Sequence, residues 1–156
     1  MRLLPAFTRE GDFADTVITN LKAIELTIFD RPQDGKQQTR VVFELTVNND
    51  MLNAFDMMHG GCIAFLVDVC SSVALSLLGI VTNGNVAYVS QALNTTYFAG
   101  APLGAKLQII STTTSVGSRI AIAETEIWDM TDRRLVASGI HTKMKPSRDA
   151  IKFARL

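Results

Sequence analysis

The chain has 156 residues, 47% of them hydrophobic, which is enough to core one ordinary domain and too little for two. Fifteen Lys and Arg balance fifteen Asp and Glu, so no net field draws it to nucleic acid or to an anionic membrane surface. Cys62 and Cys70 fall in one helical stretch, about 12 Å of axial rise apart and beyond disulfide reach, and read as reduced core cysteines of an intracellular protein.

Residues 1–17 hold a short apolar patch and turn acidic at Glu10, which argues against a secretory signal and weakens a mitochondrial one. Two β-rich runs follow, about 20–29 and 39–47, joined by the turn-rich RPQDGKQ as an antiparallel pair. Residues 59–79, HGGCIAFLVDVCSSVALSLLG, lack proline and predict one long helix, with Gly79 as its stop signal. After Asn83-Gly84-Asn85, strands are expected over 86–98, 106–116, 119–129 and 135–145. Turn signals separate them at 101–104, 117–118 and 131–132. This order predicts an α+β fold, an antiparallel sheet packed on one helix. A single domain over 1–156 is expected, with a core at about 20–145 and an extension at each end.

The helix gathers its polar residues. Measured from Asp68 at 100° per residue, Ser71 falls at about 300°, Ser72 at about 40° and Ser76 at about 80°, one stripe on an otherwise apolar cylinder. Such a helix needs a sheath, either a membrane or a sheet. A mid-span Asp costs about 2.5 to 3.5 kcal/mol on insertion, and the strands flanking it in sequence favour the sheet.

His59 precedes Asp68 by nine residues, about 13.5 Å and about 180° around one helix. A site using both therefore takes Asp68 from a second chain; otherwise His59 is an N-cap residue and Asp68 an isolated polar group. Gly60 and Gly61 occupy the first turn, where backbone N–H groups lack helical acceptors and the dipole is positive. A carbonyl docked there is stabilised as it becomes an oxyanion, although close packing also explains a Gly pair. Asn53 is a further donor or a support for His59. Asp68 suits a general base for water or a direct nucleophile.

The spacing of Asn53, His59-Gly60-Gly61 and Asp68, followed by VSQALNTTYFAGAPLGAKL and GIHTKMK, resembles hotdog-fold acyl-coenzyme A thioesterases of the phenylacetate-pathway type. Within that family it looks most like the eukaryotic branch of acyl-coenzyme A thioesterase 13, or thioesterase superfamily member 2. The resemblance, over about residues 47–145, implies a long central helix wrapped by a curved antiparallel sheet, a homodimer, and a pairing of dimers into a tetramer. It implies that Gly60 N–H and Asn53 polarise the thioester carbonyl, that His59 supports Asn53, and that Asp68 of the facing subunit, with Ser90, orients water. It also implies a pantetheine slot between subunits, for which Tyr97, Arg119, His141 and Lys143 are the candidate coenzyme A contacts. Coenzyme A is then part of the substrate, and neither a cofactor nor a metal is expected.

Asp56 departs from the family pattern, since a small residue, often Gly, is expected there. Phe55, Met57, Met58 and Phe65 are candidates for an acyl channel or for core filling. Two rival functions are an acyl-coenzyme A sensor without catalysis and a hotdog dehydratase or hydratase, whose usual motifs are not apparent. The ending Ala154-Arg155-Leu156 is similar to the Ser-Lys-Leu peroxisomal address, so a peroxisomal import receptor is a candidate partner; cytoplasm or mitochondrion are the other expected locations.

Overall fold

A computed structural model describes residues 11–146. The short α1 (Asp15–Thr19) leads into β1 (Lys22–Asp30) and β2 (Gln37–Thr46). A 3-10 turn (Asn49–Met51) and a loop then lead to α2 (Gly60–Val81), followed by β3 (Val89–Tyr97), β4 (Lys106–Val116), β5 (Ile120–Asp129) and β6 (Arg134–Met144). The strands form one antiparallel sheet in the order β1-β2-β4-β5-β6-β3. The expected α+β arrangement is what forms, with α2 packed against β2 through β6. The early α1 and the 3-10 turn are additions to the expected elements. Ala154-Arg155-Leu156 lies outside the described residues.

Alternation builds the helix-facing surface. Leu107, Ile109, Ser111 and Thr113 of β4, and Ala121, Ala123, Thr125 and Ile127 of β5, are buried at every second position, the period of a strand with one face covered. Small residues let α2 lie close. A Cβ on Gly139 of β6 would stand 2.5 Å from Val67 Cγ1, so only glycine allows this approach. With a mean hydropathy of 2.2, α2 is long and apolar enough to cross a membrane, but 61% of that stretch is buried inside the protein. The sheath is the sheet.

Two sequence expectations are corrected here. Gly79 does not stop α2, which runs to Val81. Gly79 is glycine because a Cβ would lie 2.1 Å from the Asn85 carbonyl oxygen; the left-handed residue after the helix is Asn83, at φ 51°, a conformation Asn tolerates. The third strand starts at Val89 rather than at 86. Val86 instead presents its carbonyl to the Ser76 hydroxyl at 3.0 Å, closing the loop back on the helix.

Cys62 and Cys70 are both unpaired, the latter fully buried. Met58 is core, Phe65 packs against the core, and Phe55 is exposed. The sheet edges are β1 and β3, and β3 leaves all but one of its residues exposed.

Candidate active site

The loop before α2 is built from the backbone outward. The Asn53 N–H donates to the Met57 carbonyl at 2.8 Å, and His59 N–H to the Met51 carbonyl at 2.7 Å. The Asn53 side-chain oxygen accepts from Phe55 N–H (2.8 Å) and Met57 N–H (3.3 Å), and its NH2 has no acceptor among the described residues. Asp56, at the tip, has φ 56°. That is the left-handed conformation glycine adopts without strain, which explains why a small residue fits the position, and Asp is one of the few others that tolerates it.

His59 is the N-cap of α2, and its Nδ1 accepts the Gly61 N–H at 2.9 Å. A Cβ on Gly61 would sit 3.0 Å from that nitrogen, so the glycine makes room for the ring. The pair therefore divides its roles: the Gly61 amide is capped internally, while the Gly60 amide has no acceptor among the described residues. His59 does not bond Asn53, contrary to expectation; the loop amides hold Asn53. Tyr97 donates its hydroxyl to the Gly60 carbonyl at 3.0 Å, tying β3 to the start of the helix.

Two turns along α2 lies a second polar group, Asp68, whose side chain is 43% exposed. Ser71 and Ser72 donate to the Asp68 carbonyl (3.0 and 2.6 Å). Ser71 Oγ lies 2.7 Å from His141 Nδ1, and His141 Nε2 lies 2.9 Å from Ser90 Oγ. With Ser71 donating to the carbonyl, His141 donates through Nδ1 to Ser71 and accepts through Nε2 from Ser90. Lys143 Nζ donates to Ser72 Oγ (2.7 Å) and reaches Ser90 Oγ at 3.5 Å. The Asp68 carboxylate is 3.6 Å from both His141 Nδ1 and Lys143 Nζ.

Burial holds His141 neutral, pushing its pKa down to about 4; the Lys143 cation adds to this and Asp68 opposes it. Lys143 is also lowered by burial, with the Asp68 carboxylate acting against the shift.

Ser90 reaches this cluster through an irregularity in β3. Leu93 pairs with His141 but Ser90, three residues earlier, pairs with Lys143, because Gln91 is bulged out. A regular ladder would place Gln91 opposite Lys143. Bulges re-aim side chains in this way, and this one turns Ser90 toward α2.

His141 and Lys143 were expected as coenzyme A contacts, and the structure turns both inward instead. His141 is fully buried and Lys143 nearly so, both consumed by bonds inside the cluster. Their spacing, two apart on a strand, carries the signal that they share a face with each other and with the helix. Arg119 is exposed at the β4–β5 hairpin, and Tyr97 is half exposed. Elsewhere, a cavity of about 320 Å³ opens at the C-terminal end of α2 between Arg31, Leu78, Tyr88 and Val116, away from both polar groups.

The thioesterase superfamily family model matches residues 55–136, more than half of the chain and the span that holds α2, Asp68 and Ser90. The chain belongs to the thioesterase superfamily. Human acyl-coenzyme A thioesterase 13 is 32% identical over 104 residues, covering 67% of this chain and 71% of the relative. The crystal structure of zebrafish thioesterase superfamily member 2 superposes with TM-score 0.72 at 25% identity, over 86% of this chain and 88% of that one. The Escherichia coli PaaI protein, from the phenylacetic acid degradation operon, shares the fold at TM-score 0.61 and 21% identity, over 69% and 73%. The hotdog fold expected from the resemblance is thereby established.

Proposed function

We propose that the chain hydrolyses acyl-coenzyme A thioesters to free acid and coenzyme A, at a site shared by two subunits. The observation that carries this reading is the division of the polar groups along α2: carbonyl-polarising donors at Gly60 and Asn53, and a water-facing carboxylate with a hydroxyl at Asp68 and Ser90. Gly60 and Asp68, the helical member of each set, lie on α2 about 12 Å apart in rise, too far to act on one thioester within a single chain. A second copy docked on the exposed β3 edge, beside Asp68 and Ser90, would bring one subunit's donors to the other's carboxylate.

In that arrangement Gly60 N–H and the Asn53 amide receive the thioester oxygen, and His59 keeps Gly61 occupied so that the helix end stays rigid. Asp68 accepts a proton from water as the water oxygen bonds the acyl carbon, and Ser90 holds the water's direction. The tetrahedral oxyanion rests on the Gly60 and Asn53 donors. Its collapse breaks the carbon–sulfur bond, and the departing thiolate takes the proton back from Asp68. Tyr97 and Arg119 remain the candidate coenzyme A contacts. Assembly of dimers into a tetramer and peroxisomal import through Ala154-Arg155-Leu156 belong to the same proposal; the latter is tested by binding of the C-terminal peptide to the import receptor, with Leu156→Ala as control.

A panel of short, long and aromatic acyl-coenzyme A substrates, assayed for thiol release, tests the reading and sorts the acyl preference. Asp68→Asn is expected to lower kcat by about 10²- to 10⁴-fold with fold and oligomer intact. Near-full activity in the variant contradicts the mechanism, and tight binding without release by the wild type identifies an acyl-coenzyme A sensor instead.

A second reading has one observation in its favour. Ser90, His141 and Asp68 stand in the order of a nucleophilic triad, at 2.9 and 3.6 Å. The depressed basicity of His141 and the capture of its Nδ1 by Ser71 favour water as the nucleophile. An acyl adduct on Ser90, seen by mass spectrometry after rapid quench, would reverse that preference.

A further inference from the structure

We propose that Lys143 is a positioning residue for hydrolysis, an internal ammonium that ties Asp68 on α2 to Ser90 on β3 and fixes the place of the attacking water. The inference rests on the reading of Asp68 and Ser90 as the water-activating pair.

Lys143 is only 7% exposed, and burying an ammonium is costly unless its donors are used. Its three neighbours belong to the two elements whose relative position sets the water site. Nζ donates to Ser72 Oγ at 2.7 Å and lies 3.6 Å from Asp68 Oδ1, both on α2, and it stands 3.5 Å from Ser90 Oγ on β3. Ser72 in turn donates to the Asp68 carbonyl, so the ammonium holds the helix at the turn that carries the carboxylate. The bulge at Gln91 gives the same preference from the other side, because it puts Ser90 rather than Gln91 opposite Lys143.

The groups facing this nitrogen are few. Helix α2 offers Asp68, Ser71 and Ser72, β3 offers Ser90, and β6 itself offers His141, which burial keeps neutral. At the matching registers β5 presents Ala121 and Ala123, which carry no charge. Lys143 is thus the one lysine or arginine within ion-pairing distance of Asp68 among the described residues. A methionine would fill its volume and remove the charged link between Asp68 and Ser90, leaving only the neutral path through His141 and Ser71.

The test compares wild type, Lys143→Met, Lys143→Arg and Asp68→Asn on the best acyl-coenzyme A of the panel, across pH 6 to about 10 with the non-enzymatic rate subtracted. Lys143→Met is expected to lower kcat by about ten- to a hundredfold, the scale of a misplaced reacting group, with KM within about twofold. Burial lowers the Lys143 pKa, so the wild-type kcat should fall at alkaline pH earlier than a free lysine would titrate. Lys143→Arg should move that fall upward, and Lys143→Met should lack it. A folded Lys143→Met with wild-type kcat, or the same alkaline fall in wild type and Lys143→Arg, overturns the proposal. If Lys143→Met does not fold, the Lys143→Arg profile alone decides it. An active Asp68→Asn would instead defeat the underlying reading; an inactive Asp68→Asn beside an unimpaired Lys143→Met defeats only the role given to Lys143.

Discussion

The two polar regions of α2 are built by opposite means. At the N-terminus the proposed working groups are the Gly60 amide and the Asn53 side-chain NH2, which has no acceptor among the described residues, fixed by a loop whose own amides bond Asn53. Two turns later the proposed working groups are side chains, set on buried His141 and Lys143 and fixed by hydroxyls. A backbone donor needs no tuning of its protonation state, whereas a carboxylate that handles protons needs a supporting shell. The difference matches the chemistry assigned to each: polarising a carbonyl at one end, managing a proton at the other.

If the contrast is right, the two regions fail differently. Asn53→Ala removes one oxyanion donor and should reduce kcat by about 10²- to 10³-fold without altering the pH profile, measured by thiol release. Activity unchanged in that variant would remove the N-terminal region from the site.

The second region should reveal itself in stability. His141 is held neutral in the fold, with its pKa near 4 against an ordinary 6.5. As pH falls from about 6.5 to about 4, the unfolded chain binds the proton and the folded chain does not. Stability should therefore drop through that window by at most about 3 kcal/mol, and urea titrations of His141→Gln should lack this drop. A flat wild-type profile would mean that the imidazole is not sealed.

Gly139→Ala presses a Cβ onto Val67 and should push α2 off β6, destabilising by about 1 to 3 kcal/mol. Thermal unfolding reads that loss, and the activity should decline with it because Asp68 and Ser71 recede from His141. Asp56→Gly is the smallest change: relief of the left-handed φ should raise stability by up to about 1 kcal/mol, with any change in acyl preference reporting on the carboxylate itself.

The sequence made the helix, most strand positions and the residues at the helix N-terminus legible, because periodicity and the His-Gly-Gly step are local signals. Asp68 was legible for the same reason, as a charge within an apolar run. The shell behind it was not. That His141 and Lys143 turn inward depends on which face of β6 meets α2, and the entry of Ser90 depends on a bulge that no residue of VSQAL announces. Gly79 misled as a helix stop because a glycine required by tertiary contact with Asn85 looks the same in sequence as one required by a cap.

The central claim is that each site joins Gly60 and Asn53 of one subunit to Asp68 and Ser90 of another. The most direct measurement is thiol release by a purified heterodimer of Asn53→Ala and Asp68→Asn chains, each inactive as a homodimer. Composite sites predict recovery of about half the wild-type rate, since one of the two sites then holds both intact halves. A heterodimer as inactive as its parents would place all four residues in one chain's site and contradict the account.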